Sequence, residues 1–448
     1  MEDRTLADLR RMDQAHLIHP FTDHATLHSQ GTHIMRAAEG CYVVDEDGRQ
    51  LLDALAGLWC VNVGYGRKEI AEAVYRQMST LPYYPSFFNT TTEPTIRLAD
   101  KLASRAPARL QRVFFSNSGS EANETALKLI RAYQKLRGTP EKTKILTRTF
   151  SYHGVGIATT SMTGLASCHE PFDLPLPGFL YVPGPHAYGV DSHLTPEEYG
   201  RWCIQETARI IAAEGADTVA AIFVEPVQGA GGVIVPPAGY LGELRDLCRR
   251  NDILFVADEV ITAFGRLGHW FASEAWNLEP DLLSTAKGIT SGYLPLGATL
   301  VSDHVADTLI RGGYLAHGFT YTGHPVTTAA ALANLEIIER EQLVERVHDD
   351  IGPYFCDKLR QFAGHPAVGE VRTCGLIGAL ELLPREGKAA LTPTTLLGLK
   401  GAALARRQGV IVRGIRDLIA MAPPLVITRE QIDFLCEAIR HTLDHLWD

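Results

Sequence analysis

The chain is poor in several things, and each shortage excludes a class. Its eight cysteines include no Cys-x-x-Cys pair. A zinc site and a disulfide framework are therefore not expected, and reduced cytosolic thiols fit best. No apolar run reaches the roughly 18 residues that a membrane span needs. The opening Met1-Glu-Asp-Arg-Thr is polar and lacks the apolar core of a signal peptide. Positive charge is in deficit: 42 Lys and Arg against 52 Asp and Glu leave a net charge of −10. That balance excludes nucleic acid and anionic membrane as main partners. Histidines recur at His16, His19, His24, His28 and His33, but with no cysteine or carboxylate at ligand spacing no metal is expected.

What remains is a soluble enzyme's composition, 46% hydrophobic and 21% charged over 448 residues. That length suggests two domains, one of them large. Cys41-Tyr-Val-Val-Asp-Glu-Asp-Gly48 followed by Gln50-Leu-Leu-Asp-Ala-Leu reads as a hairpin turning at Asp-Gly. From about residue 68, helices alternate with apolar strands. Arg112-Val-Phe-Phe, Lys144-Ile-Leu-Thr, Val219-Ala-Ala-Ile-Phe-Val and Ile253-Leu-Phe-Val-Ala are such strands, implying a parallel sheet covered on both faces. The proline-rich stretch 171–185 reads as irregular, and Gly292–Gly297 as a loop. Beyond about 350 the pattern changes to a smaller α+β unit. The division expected is 71–329 for a large α/β domain, with 1–70 and 330–448 forming an arm and a small domain.

Five residues after successive strand ends define a chemistry. Lys287 follows the run Asp281-Leu-Leu-Ser-Thr-Ala in apolar, small-residue company. A poorly solvated lysine has a lowered pKa and forms a Schiff base with a carbonyl. Asp258 ends a buried strand and suits a protonated ring nitrogen. Ser118 and Glu121 fit a capping box at a helix start whose backbone N–H groups and two serine hydroxyls would cradle phosphate. Tyr152 is placed to stack on a flat ring, and Glu225 lies on the same rim. In an open α/β sheet these strand ends share one crevice. Together they indicate pyridoxal 5′-phosphate (PLP). Gly57-Leu-Trp59-Cys reads as a pocket wall, Phe21 as part of an arm over the pocket, and His317–Pro325 as a second phosphate contact.

The motifs resemble those of the class III aminotransferases, within the fold type I PLP-dependent transferases, over nearly the whole chain. They are Leu58-Trp-Cys-Val-Asn-Val-Gly-Tyr-Gly-Arg67, Ser116-Asn-Ser-Gly-Ser-Glu-Ala-Asn-Glu124, Tyr152-His153-Gly154, Val224-Glu-Pro-Val-Gln-Gly-Ala-Gly-Gly232, Ala257-Asp-Glu-Val260, Ala286-Lys287-Gly288 and His317-Gly-Phe-Thr-Tyr321. Within the class the chain is similar to the amine:pyruvate omega-transaminases. The resemblance implies an α/β large domain with a mostly parallel sheet plus a smaller α+β domain. It assigns Lys287 to the Schiff base and proton transfer, Asp258 to the ring nitrogen, and Gly119 and Ser120 beside Ser118 to the phosphate. Tyr152 and Val260 would flank the ring, with His153, Glu225 and Phe319 in support, and Thr320 would reach the neighbouring subunit's phosphate. Phe21, Trp59, Phe87, Phe88, Tyr152 and Ala230 would line the substrate pocket, and Arg413 would receive a carboxylate. A homodimer with shared sites follows, either alone or as a pair of dimers in a tetramer. Many relatives acting on ornithine or 4-aminobutyrate have Gln at the position of Ile261 and Glu at that of Ala230. The apolar pair here favours an amine, diamine or omega-amino acid as donor and pyruvate as the acceptor 2-oxo acid. An aminomutase or racemase of the same fold, or a non-catalytic PLP-binding module, would present many of the same residues.

Overall fold

A computed structural model describes residues 5–107, 109–188, 193–388 and 395–448. Among these, three strands come first: β1 (Ala37–Glu39), β2 (Tyr42–Val44) and β3 (Gln50–Asp53). Seven more build the main sheet: β4 (Arg112–Ser116), β5 (Lys144–Arg148), β6 (Phe179–Val182), β7 (Val219–Val224), β8 (Leu254–Asp258), β9 (Leu282–Thr285) and β10 (Gly297–Val301). Their order is β4-β10-β9-β8-β7-β5-β6. Every neighbouring pair from β9 to β6 is parallel, and β10 alone runs against both of its neighbours.

The apolar runs are explained by burial on both faces. Every residue of β7 and β8 is buried. Alternate side chains point to opposite faces. Ala221, Phe223 and Val256 pack with Ala126, Ile130 and Tyr133 of the helix Gly119–Leu136. Ile222, Val224 and Phe255 pack with Leu244 and Leu247 of the helix Tyr240–Arg250. A strand clothed this way gains nothing from a polar face, so its residues are Val, Ile, Phe and Ala throughout.

Five further strands follow: β11 (Val368–Cys374), β12 (Ile377–Leu382), β13 (Val410–Ile411), β14 (Arg413–Ile415) and β15 (Leu418–Met421). Four of them form an antiparallel sheet, β11-β12-β15-β14. The fifth, β13, joins the N-terminal hairpin, lying parallel to β3 with Val410 opposite Leu52. The hairpin turns at Asp47-Gly48 as its sequence suggests, with Gly48 at φ +78° and Asp45 accepting from the N–H groups of Asp47 and Arg49. Among the described residues no helix is long and apolar enough to cross a membrane.

Three local expectations are corrected. The proline-rich stretch contains β6, a four-residue strand parallel to β5. The loop before residue 297 opens directly into β10. The capping box at Ser118 is only half formed. Ser118 Oγ accepts from Glu121 N at 3.2 Å, but the Glu121 carboxylate takes the backbone and side-chain N–H of Asn117, both at 2.7 Å.

Candidate active site

The C-terminal ends of β4, β5, β7, β8 and β9 open on one cavity of about 430 Å³. Ser118, Gly119, Ser120, Tyr152, His153, Glu225, Asp258, Val260, Ile261 and Lys287 all line it. The strand ends thus bring together residues spread over 170 positions, from Ser118 to Lys287.

Asp258 is held from three sides. Its Oδ2 accepts from Asn123 Nδ2 at 2.7 Å and lies 2.7 Å from His153 Nδ1, and its Oδ1 accepts from Val260 N at 3.1 Å. Glu225 spans two loops: Tyr152 N donates to Oε1 at 2.9 Å and Gly229 N to Oε2 at 3.0 Å. Its burial pushes the carboxyl up to about 7. Lys287 lies in the left-handed region at φ +47°. The turn after it is fixed by Asn334 Nδ2, which donates to the carbonyls of Gly288 and Ile289 at 2.9 and 3.0 Å. Gly288 is required there, since a Cβ would lie 2.6 Å from Asn62 Nδ2. Burial lowers the Lys287 pKa, opposed in part by Asp258 and Glu225. A lysine held this way is a neutral nucleophile more often than an ordinary one.

Several features suit a phosphorylated aromatic aldehyde. The backbone N–H groups of Gly119 and Ser120 begin an 18-residue helix at the cavity wall, where an anion is favoured. Gly119 has no room for a side chain, because a Cβ would lie 2.9 Å from both γ carbons of Val260. Asn123 Oδ1 and His153 Nε2 are buried without a partner beside Asp258. A lysine, a carboxylate and an anion cradle around one slot form the donor set that such a group requires.

The family model for Aminotransferase class-III matches residues 25–443. The chain belongs to the class III aminotransferases. It is a PLP-dependent transaminase of fold type I. The putrescine–pyruvate aminotransferase of Pseudomonas aeruginosa is 42% identical to this aminotransferase over 433 residues, 97% of this chain and 95% of the relative. A diaminobutyrate–2-oxoglutarate transaminase of Halomonas elongata is 39% identical, over 93% and 91% of the two chains. Among solved structures, a thermostable (S)-enantioselective omega-transaminase from Thermomicrobium roseum superposes with a TM-score of 0.96 at 42% identity, covering all of both chains. The omega-transaminase of Pseudomonas jessenii in complex with PMP gives 0.93 at 40% identity, covering 98% of each.

The other residues singled out are not among those that line this cavity, although the Arg413 guanidinium is close enough to act on Lys287 and Tyr152. Trp59 is buried at the edge of the strained turn 56–59, and the Arg413 guanidinium stacks over its ring, 4.9 Å from the centroid. Ala230 is buried in the turn after β7 and is not among the residues that line the cavity. Phe21 lines a second cavity of about 850 Å³ that meets the first at Gly154. Phe87 and Phe88 contact each other with ring centroids 5.8 Å apart, and Phe88 is 88% exposed. Thr320 is exposed and its carbonyl accepts from Tyr83 Oη, so within one chain neither Phe319 nor Thr320 reaches the cavity. Sequence reasoning missed Asn123. The signal was a polar residue inside the buried stripe of Ala122, Ala126 and Ile130.

Proposed function

We propose that this aminotransferase moves an amino group from an amine, diamine or omega-amino acid to pyruvate by a ping-pong cycle. The observation that carries the acceptor is Arg413. It is half-buried over Trp59, and no carboxylate is among the charges that act on it. An unpaired guanidinium in such a place is a seat for a planar carboxylate, gripped by two parallel hydrogen bonds. The Pseudomonas aeruginosa relative, named for putrescine and pyruvate, supports the same pairing. The apolar Ile261 on the cavity wall supports a donor other than ornithine or 4-aminobutyrate.

The residues divide the work. Ser118, Gly119 and Ser120 hold the phosphate, Tyr152 and Val260 flank the ring with His153 in support, and Asp258 faces the ring nitrogen. Bound PLP supplies an electron sink that makes the donor Cα–H acidic. Lys287 Nζ, with its lowered pKa, takes that proton as general base and returns it as general acid. Glu225 keeps the Tyr152 and Gly229 loops together around this chemistry. Arg413 holds the 2-oxo acid carboxylate and swings out when the donor has none.

A second copy of the chain completes the site in this reading. Phe88, Tyr314, Tyr321 and Tyr75 are strongly exposed, and exposed aromatic side chains of this size suit a protein interface. Phe319, Thr320, Phe87 and Phe88 would serve the neighbouring cavity. The expected division into a large domain, 71–329, and an arm with a small domain is part of the proposal. So is a cytoplasmic location, supported by eight unpaired cysteines.

A panel of amines, diamines and omega-amino acids with pyruvate, scored by alanine formed, tests the substrates. Arg413→Ala should raise the pyruvate KM by about one to three decades, about 1.5–4 kcal/mol. The half-reaction of a carboxylate-free amine should change less than about fivefold. Equal losses in both half-reactions would make Arg413 structural.

A further inference from the structure

His186, Glu370 and Glu381 bring their ligand atoms within 4.8 Å of one another, an arrangement that could hold a metal ion. The centre is already occupied. Arg372 donates to Glu370, and its Nη2 donates to Glu381 at 2.7 Å. The cluster is therefore a charge cage around one arginine, and its purpose lies in what that arginine grips. Arg372 Nε and Nη2 both donate to the carbonyl of Gly232, at 3.0 and 2.8 Å. The preceding carbonyl, Gly231, accepts from Arg416 Nη2 at 2.9 Å.

Two guanidinium groups from the β11-β12-β15-β14 sheet thus hold consecutive carbonyls of the turn after β7. That turn contains Gly229, whose N–H binds Glu225, and Ala230. It has no slack, since a Cβ at Gly231 would lie 2.1 Å from the Phe150 carbonyl. The Arg416 guanidinium also covers the Phe150 ring, 5.2 Å from its centroid, and His186 meets the same ring edge-on. Phe150 is two residues before Tyr152. Arg416 itself sits at φ +49° in the turn between β14 and β15. The strand that leads into that turn, β14, begins with Arg413.

We propose that Arg372 and Arg416 are positioning residues for the acceptor: Arg372 from β11 and Arg416 from the β14–β15 turn clamp this sheet to the Gly229–Gly232 turn, and Arg416, three residues after Arg413, so sets where Arg413 stands relative to Lys287. The inference rests on the reading of Arg413 as the carboxylate seat. A guanidinium suits the task because its planar fork holds a carbonyl in a fixed direction, which an ammonium does not. Displacing a carboxylate seat by about an ångström is enough to cost a large part of its effect. A clamp that acts only through Arg413 should affect the 2-oxo acid and leave a carboxylate-free amine alone.

The test compares the holoenzyme of Arg416→Met, Arg416→Lys, Arg413→Ala and the Arg413→Ala/Arg416→Met double variant. Arg416 is the exposed member of the pair, so its loss should spare folding, and a melting temperature is recorded for each protein. Arg416→Met should raise the pyruvate KM by about tenfold with kcat and the amine half-reaction within about twofold. Arg416→Lys should recover part of the loss. The double variant should be no worse towards pyruvate than Arg413→Ala alone, because neighbours acting through one contact are not additive. If Arg413→Ala raises the pyruvate KM but Arg416→Met does not, the clamp is overturned while the carboxylate seat stands. Additive losses in the double variant overturn it as well. If Arg413→Ala itself leaves pyruvate unaffected, the carboxylate seat fails and the clamp fails with it.

Discussion

Asn123 Nδ2 donates to Asp258 Oδ2 at 2.7 Å and, from the same nitrogen, to the carbonyl of His153 at 2.9 Å. One amide thus ties the helix that begins at the proposed phosphate cradle to the carboxylate proposed for the ring nitrogen. Asn123→Ala removes one of the three contacts that hold that carboxylate, leaving those of His153 and Val260. A hydrogen bond to a charged group is worth about 1.5–3 kcal/mol, so the single-turnover amine half-reaction should slow by about 10- to 100-fold. Cofactor content should be retained. An unchanged rate would remove Asn123 from the site.

Lys287→Ala removes nucleophile and proton carrier together. The visible absorbance of the bound cofactor should disappear and turnover should fall by several decades. A variant that kept more than about a few per cent of activity would place the chemistry on another residue.

Gly119→Ala sets a methyl group against Val260 at 2.9 Å. Both residues line the cavity, so relieving the contact moves a wall of the ring slot. Overpacking of this kind costs about 1–3 kcal/mol, and cofactor affinity measured by equilibrium dialysis should fall by about tenfold or more. Wild-type affinity in the variant would show that the slot does not depend on Val260.

The Glu225 carboxyl has an ordinary value of 4.5, and burial in the fold raises it to about 7. The folded state therefore holds a proton that the unfolded state releases. The stability this contributes is complete below about pH 4.5 and is lost as pH rises through about 7. The whole effect is at most about 3 kcal/mol. Glu259, buried and raised to about 7 as well, adds a contribution of the same sign. In Glu225→Gln the fall in urea midpoint between pH 5 and pH 8 should shrink relative to the wild type. The same fall in both proteins would assign the whole slope to Glu259 or to other groups.

The parts of the fold that were legible in the sequence are those where one local rule acts alone. β7 and β8 are buried on both faces and read as unbroken apolar runs. Lys287, Asp258, Ser118 and Tyr152 stood out because each follows such a run. β10 was hidden for the opposite reason. It starts at Gly297, where a Cβ would lie 2.3 Å from the Ser118 carbonyl, so close packing chose its first residue and strand preference did not. The four residues of β6 are too few to show a period and lie among prolines. Asn123 looked like a blemish in an amphipathic helix until Asp258 was placed beside it. Phe88 and Thr320 have no role that one chain can display.

The pairing of β3 with β13 has a consequence for how the protein is made. Leu51 and Leu52 are fully buried, and the strand beside them is supplied by Val410 and Ile411. On the ribosome the early hairpin emerges with one ladder edge unpaired and keeps it so until translation has passed residue 411. Contacts this distant along the chain are slow to form, and unpaired strand edges invite association between nascent chains. The first strands to be made therefore complete their sheet only when nearly the whole chain has been synthesised.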